Sequence, residues 1–145
     1  MSNKFDNFVQ ELQEQIFEET REEYGEVAYK RWRNPLYIGV MKDPDAHASH
    51  KGTCGDTIGI FLKFEKGHVK EASFVTDGCG SSMVCGSFAA EMSLGKDLEQ
   101  LFEITGETIL NKLGGFPEED EHCAFLAAET LHKAANEFMI KRTKT

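Results

Sequence analysis

Residues 54–80, CGDTIGIFLKFEKGHVKEASFVTDGCG, decide the fold of this chain. Apolar and polar side chains alternate over residues 57–64, which is the period of a strand with one buried face. A turn that includes Gly67 leads into a second alternating run. Residues 57–77 are therefore predicted to form a β-hairpin. Gly78-Cys79-Gly80 is predicted to bend the chain from this hairpin into a helix.

Helical patterns flank the hairpin on both sides. Before it, apolar residues recur at helical spacing through residues 1–33, and Gly25 leaves open one long helix or two shorter ones. After it, caps and glycines predict three short helices between residues 81 and 114, and a last helix that opens at Pro117. This order predicts an α+β domain: helices on one face of a small antiparallel sheet of about three strands, with a helix bundle at the C-terminal end.

Residues 41–53 are polar and follow neither period, so we predict a mobile loop there. Two of its side chains, His47 and His50, precede Cys54 at a spacing that a metal site can use. Loop histidines are more often simply solvated, and both interpretations stay open at this point.

Size and composition describe one ordinary domain. The chain has 145 residues, of which 40% are hydrophobic and 28% charged, so residues 1–145 are predicted to form a single domain. Lys and Arg number 16 and Asp and Glu number 25, which gives a formal net charge of −9. Such a surface repels phosphate groups, and this argues against nucleic acid or an anionic membrane as the main partner.

The sequence also bears on cellular location. It has no run of about 18 apolar residues that could span a membrane. It begins without the basic and apolar regions of a secretory signal, so we expect a cytoplasmic protein. The four cysteines are then expected in a reducing compartment, where metal or thiol chemistry is more common than disulfides.

Three short segments place metal-ligand side chains at the boundaries of predicted elements. Cys54 and Asp56 precede the first hairpin strand, Cys79 lies in the bend after the second, and His122-Cys123 lies at the start of the last helix. If the hairpin ends and the helix starts meet, three thiolates, an imidazole and a carboxylate converge. That exceeds the four ligands of a structural zinc site. The surplus suits a site that exchanges ligands or holds an iron–sulfur cluster.

Taken one at a time, several cysteines and histidines have simpler interpretations than metal binding. Cys123 continues an apolar helical stripe, and taken alone it would be a core residue. Cys85 follows Cys79 by six positions, which places it roughly 120° away around a helix, and we interpret it as buried structure. His68 and His132 are expected to be a turn residue and an exposed helix residue.

These motifs resemble the IscU/NifU N-terminal-domain type of iron–sulfur cluster assembly scaffold. The resemblance runs from about residue 29 to about residue 140. Its order and spacing of Cys-Gly-Asp, Gly-Cys-Gly and His-Cys make it specific, and its Leu-Gly-Gly-x-Pro pattern is closer to NifU-like members. The segments that carry it are Asn34-Pro35, Gly52-Thr-Cys-Gly-Asp56, Phe74-Val-Thr-Asp-Gly-Cys-Gly-Ser81, Gly95-Lys96, Leu113-Gly-Gly-Phe-Pro117 and His122-Cys-Ala-Phe-Leu-Ala127.

The resemblance implies a sheet of about three strands and one site built from Cys54, Asp56, Cys79, His122 and Cys123. In the family the cysteines receive sulfur and iron and hold a labile [2Fe–2S] cluster. The aspartate tunes cluster release, and zinc can occupy the same ligands. Cys123 is the residue expected to accept persulfide from a cysteine desulfurase. The protein is then a carrier that passes clusters to acceptor apoproteins, not an enzyme.

One departure concerns a partner. IscU-type members bind a specialised heat-shock chaperone through Leu-Pro-Pro-Val-Lys, whereas residues 116–120 here are Phe-Pro-Glu-Glu-Asp, with an acid in place of Lys. That contact is therefore not expected. Two other functions stay open: a zinc-binding sulfur acceptor for a cysteine desulfurase, and a structural zinc domain for protein interaction. A homo-oligomer is compatible with the sequence.

Overall fold

A computed structural model describes residues 3–143 and confirms the predicted α+β architecture, with a long helix at each end. None of the helices in this range combines the length and apolar character needed to cross a bilayer. The elements are α1 (Asn3–Tyr24), α2 (Glu26–Arg33), β1 (Ala46–Lys51), β2 (Thr57–Glu65), β3 (His68–Thr76), α3 (Gly80–Ser93), α4 (Leu98–Glu103), α5 (Gly106–Leu113), a 3₁₀ turn (Glu118–Asp120) and α6 (His122–Thr143).

The predicted hairpin forms the centre of the sheet. The strand order is β1-β2-β3, and both pairings are antiparallel. Lys66 and Gly67 join β2 to β3 with φ values of 54° and 82°, since a tight hairpin turn of this twist needs positive φ at both positions. Ile58, Ile60 and Phe74 are fully buried, and α3 and α6 pack on the sheet. The hairpin therefore supplies the surface on which the two site-bearing helices rest.

The prediction of a mobile loop over residues 41–53 is wrong for residues 46–51. They form β1, an edge strand whose register with β2 runs from Ala46 opposite Leu62 to Lys51 opposite Thr57. Its inward side chains are Ala46, which is buried, and Ala48 and His50, which are half-buried on the face toward α6. Small and polar side chains give a weak alternation signal, and short polar strands are common at sheet edges.

The N-terminal segment forms two helices, because Gly25 breaks it with a φ of 83°. The α1 helix buries none of its described residues, and it is anchored only at its C-terminal end. There Phe17 packs edge-on against Trp32 at 6.1 Å, and Tyr24 tilts against Phe116 at 5.3 Å between ring centroids. The apolar stripe that predicted this helix stays exposed along the rest of its length, at Phe5, Phe8, Val9, Leu12 and Ile16.

The last helix begins five positions later than predicted. Pro117 was expected to open it, but Pro117 instead caps a 3₁₀ turn in which the Asp120 N–H donates to the Pro117 carbonyl oxygen at 2.9 Å. The fixed φ of proline starts either kind of turn equally well, and 3₁₀ turns are frequent where α-helices begin. As a result, His122 and Cys123 lie in the first turn of α6.

Helix α3 approaches the sheet closely at Gly86. A Cβ atom built there would lie 2.6 Å from Cδ2 of Phe74, whose ring is fully buried. The absence of a side chain at this position therefore sets the distance between α3 and β3, and with it the position of the α3 start.

Gly86→Ala should lower the free energy of unfolding. Helix propensity alone favours alanine by about 1 kcal/mol, but overpacking against a buried ring costs about 1–3 kcal/mol. We expect a net loss of up to about 2 kcal/mol in urea denaturation. In a Phe74→Leu background the close contact is relieved, and the same change should become neutral or stabilising. An equal loss in both backgrounds would contradict this packing explanation.

Candidate metal centre

The open end of the hairpin is fastened by side chains. The Thr57 N–H donates to Asp77 Oδ1 at 2.8 Å, and the Thr76 hydroxyl donates to the Thr57 carbonyl oxygen at 2.7 Å. These bonds join the start of β2 to the end of β3. They bring Asp56 and Cys79 together, although 23 positions separate the two in sequence.

Three of the predicted ligands meet at this end of the sheet. The possible metal-ligand atoms, a carboxylate oxygen of Asp56 and the sulfurs of Cys79 and Cys123, all lie within 4.8 Å of one another. The Cys79 thiol donates to Asp56 Oδ2 at 3.8 Å. Ligand atoms around one tetrahedral metal ion with bonds of about 2.0–2.3 Å are separated by about 3.3–3.8 Å. The observed separations therefore fit a shared metal ion after small side-chain movements.

The two remaining predicted ligands flank this group. His122 is exposed, and its Nε2 atom lies 3.6 Å from Cys123 Sγ. Cys54 is exposed on a turn that is closed by hydrogen bonds from the Gly55 N–H to the Gly52 carbonyl oxygen (3.0 Å) and from the Gly52 N–H to the Asp56 carbonyl oxygen (2.9 Å). Cys54 is not in the 4.8 Å group, so it must move with its turn to share a metal with the other two cysteines.

Cys123 differs from the other site cysteines because it belongs to the core. It is fully buried in the first turn of α6. Burial raises the pKa of this thiol to about 11, and the charges of Cys79 and Cys54 act in the same direction. In the metal-free protein Cys123 is therefore a neutral thiol at physiological pH. A cation that approaches the sulfur stabilises the thiolate, so metal binding favours the ionised form of Cys123 over the neutral thiol.

The structure adds one polar residue that the sequence analysis missed. Ser82 is fully buried; its hydroxyl donates to Asp56 Oδ2 at 2.7 Å and lies 3.5 Å from Cys123 Sγ. A signal was available, because a residue three positions after Cys79 lies one turn further on the same side of the helix.

Both glycines beside Cys79 are required by close packing. A Cβ atom at Gly78 would lie 2.6 Å from Cγ of Asp56, and one at Gly80 would lie 2.8 Å from the Trp32 ring. Glycine is the residue that permits such approaches. The Gly-Cys-Gly motif therefore holds the Cys79 backbone between the site carboxylate and the α2 helix.

The remaining candidate residues lie elsewhere. Cys85 is fully buried, and burial raises the pKa of its thiol well above the ordinary value, in keeping with a structural role. His47 stacks on Phe61 with ring centroids 4.3 Å apart. His50 Nε2 lies 3.2 Å from a Glu129 carboxylate oxygen. The two histidines lie at odd and even positions of β1 and so point to opposite faces, which does not suit a joint metal site.

Comparisons with known proteins agree with this fold. Residues 23–145 match the family model for the NifU-like N terminal domain. The iron-sulfur cluster assembly scaffold protein IscU 1 of Archaeoglobus fulgidus is 30% identical over 122 residues, covering 83% of this chain and 80% of that protein. The corresponding IscU protein of Aquifex aeolicus is 32% identical over 123 residues, covering 83% and 78%.

A solved structure shares the fold. The crystal structure of the N-terminal part of a nitrogen-fixing NifU-like protein from Brucella abortus superposes with a TM-score of 0.66, at 18% identity, covering 84% of this chain and 98% of that one. The family match extends over most of the chain and includes every proposed ligand. This chain therefore belongs to the NifU-like N-terminal domain family.

Proposed function

We propose that this protein is an iron–sulfur cluster assembly scaffold. It accepts sulfur and iron, holds a labile [2Fe–2S] cluster as cargo and passes it to acceptor apoproteins, acting as a carrier rather than an enzyme. The observation that carries this proposal is the convergence of Asp56, Cys79 and Cys123 within 4.8 Å. It is supported by relatives in A. fulgidus and A. aeolicus that are named as scaffold proteins.

The proposed ligands are the thiolates of Cys54, Cys79 and Cys123, completed by Asp56 or His122. Thiolates are the usual ligands of iron–sulfur clusters. A carboxylate is a harder ligand than a thiolate, so Asp56 can leave the metal more readily. Cys54, Cys79 and His122 are exposed, which keeps one side of the site open to solvent. An open site suits the uptake and release of cargo, whereas structural zinc sites are closed.

Cys123 is the proposed sulfur acceptor. Once Cys123 loses its proton, its thiolate attacks the terminal sulfur of a persulfide on a cysteine desulfurase and a new sulfur–sulfur bond forms on Cys123. The original sulfur–sulfur bond breaks, and the desulfurase cysteine leaves as a thiolate that can take up the proton. Because Cys123 is fully buried, the groups that cover it must move before a partner can reach its sulfur. The exposed turn of residues 52–55 beside the site is the segment that we expect to move.

The specialised heat-shock chaperone is not among the proposed partners. Glu118, Glu119 and Asp120 form a 3₁₀ turn that leads directly into α6. Bound peptides usually lie extended or as a helix in their groove. To lie extended in such a groove, this turn would have to unwind. Asp120 also carries a charge opposite to that of the lysine that IscU-type members have at this position.

Anaerobic reconstitution with ferrous iron, cysteine and a cysteine desulfurase tests the scaffold function. We expect a coloured, chelator-labile chromophore that disappears when it is transferred to an apoferredoxin. Cys79→Ser and Cys123→Ser should lose most of the visible absorption, because each removes a thiolate ligand. Cys85→Ala is the matched control and should retain it. A colourless protein that binds zinc tightly and stimulates the desulfurase would instead support the zinc-binding sulfur acceptor.

Alkylation should separate the four thiols of the metal-free protein. The thiolate is the reactive form, and with a pKa of about 11 Cys123 is ionised in on the order of one molecule in a thousand at about pH 8. Iodoacetamide should therefore modify the exposed Cys54 and Cys79 well before Cys123 and Cys85, as read by peptide mass spectrometry. The Cys123 rate should keep rising with pH up to about 11. Modification of Cys123 as fast as Cys54 at neutral pH would contradict its burial.

Metal binding should order the Cys54 turn but not β1. Residues 46–51 are already hydrogen-bonded to β2. Cys54 must move to reach the other ligands, and binding free energy at such sites is partly folding free energy. Amide exchange over residues 52–56 should therefore slow on addition of zinc, while exchange over 46–51 stays unchanged. No change in 52–56, or an equal change in both segments, would count against this coupling.

A further inference from the structure

A buried hydroxyl lies at the centre of the site without belonging to the proposed ligand set. Ser82 Oγ is 2.7 Å from Asp56 Oδ2 and 3.5 Å from Cys123 Sγ, and the residue has no exposed surface. We propose that Ser82 is a positioning residue. Its hydroxyl fixes the Asp56 carboxylate in the orientation that faces the two site sulfurs, and it thereby sets the metal affinity of the site.

The direction of the hydrogen bonds follows from the donors available. A hydroxyl carries one hydrogen and two lone pairs, and an ionised carboxylate only accepts. The single Ser82 hydrogen therefore goes to Asp56, at a distance typical of a charge-assisted bond. The neutral Cys123 thiol can then donate to the free lone pairs of Ser82. A chain of donation from Cys123 through Ser82 to Asp56 results.

The hydrogen bond from Ser82 to Asp56 is compatible with metal binding. A coordinated Cys123 has no proton to donate, because the thiolate is the metal ligand. The bond from Ser82 to Asp56 needs no proton from the sulfur, so the carboxylate keeps its partner. Ser82 therefore orients Asp56 in both the empty and the loaded site.

Asp56 is confined from a second side by Gly78. A Cβ atom at Gly78 would lie 2.6 Å from Asp56 Cγ and 2.8 Å from Ser82 Oγ. The carboxylate thus occupies a slot between the Gly78 backbone and the Ser82 side chain. Without the hydroxyl, one wall of this slot loses its only polar contact with the carboxylate among those described. Only the longer contact from the Cys79 thiol, at 3.8 Å, then remains among the described contacts, and the carboxylate rotates toward solvent more readily.

The expected loss of metal affinity on removal of the Ser82 hydroxyl is estimated from other metal sites. Ligating carboxylates are themselves hydrogen-bonded, and loss of such a partner typically costs 10–100-fold in metal affinity or activity. Ser82→Ala should therefore raise the zinc dissociation constant at least about tenfold. Alanine favours the α3 helix and leaves no buried unpaired hydroxyl, so the variant should fold. This inference rests on the proposed function, since it requires Asp56 to be a metal ligand.

The test is a competition titration of zinc against a chromophoric chelator, with the full chain in the wild-type form and four variants. They are Ser82→Ala, Asp56→Ala, the double variant, and Ser81→Ala. Ser81 is the matched control, because it is also buried in the first turn of α3 but bonds to the Tyr24 hydroxyl at 3.1 Å. We expect Ser82→Ala and Asp56→Ala to weaken zinc binding, Ser81→Ala to leave it unchanged, and the double variant to equal Asp56→Ala.

The outcomes separate this inference from the proposed function. Wild-type affinity in Asp56→Ala would show that Asp56 is not a ligand, and it would overturn the proposed ligand set. Weak binding in Asp56→Ala with wild-type binding in Ser82→Ala would overturn the positioning role alone. An equal loss from Ser82→Ala in the presence and absence of Asp56 would also overturn it, because a residue that acts through Asp56 has no effect once that carboxylate is gone.

Discussion

The register of the β2–β3 hairpin is the constraint on which the site depends. Ile58 pairs with Thr76, and the side chains of Thr76 and Asp77 fasten this end to Thr57. Side chains alternate between faces with a period of two, so a shift of one residue would send Asp56 to the opposite face of the sheet. The chain would keep the same proposed ligands in the same order, but their side chains would no longer lie together.

The site combines a rigid half and an accessible half. Cys123 lies in the core at the start of α6, and Ser82, which is also fully buried, lies beside it. Cys54 and Cys79 are exposed on a turn and at a helix start. A protein that only stored metal would gain from burying every ligand. In the proposed function, one buried ligand keeps the geometry of the site defined, and exposed outer ligands allow a cluster to enter and leave.

The convergence of Asp56, Cys79 and Cys123 could be predicted from the sequence, because these proposed ligands follow strong local signals. The alternation of residues 57–64 and the glycines around Cys79 locate a strand end and a helix start. The sequence pattern does not reveal β1, because its inward residues are two alanines and a histidine, which differ little in hydropathy from the polar residues between them. The start of α6 was misplaced because Pro117 suits a 3₁₀ turn as well as an α-helix.

Ser82 shows a different kind of limit. Helix α3 buries four serines, Ser81, Ser82, Ser87 and Ser93, and nothing in their type distinguishes the one that contacts Asp56. Helical spacing from Cys79 narrows the choice, but the contact itself depends on how closely α3 approaches the hairpin. That distance is set by tertiary packing at Gly86 and Phe74, which no local pattern encodes.

Because Cys85 is buried, its rate of chemical labelling reports how often the core of the protein opens. Its thiol is held among the core residues of α3, with a pKa raised by desolvation, so a labelling reagent reaches it only when that helix leaves the sheet. Cys54 and Cys79 are exposed, so a reagent reaches them without any opening of the fold. Local and global openings of a protein have different free energies. With the exposed Cys54 as the reference in the same unmodified chain, the relative rate of labelling at Cys85 therefore measures the free energy of the opening that exposes the core of α3.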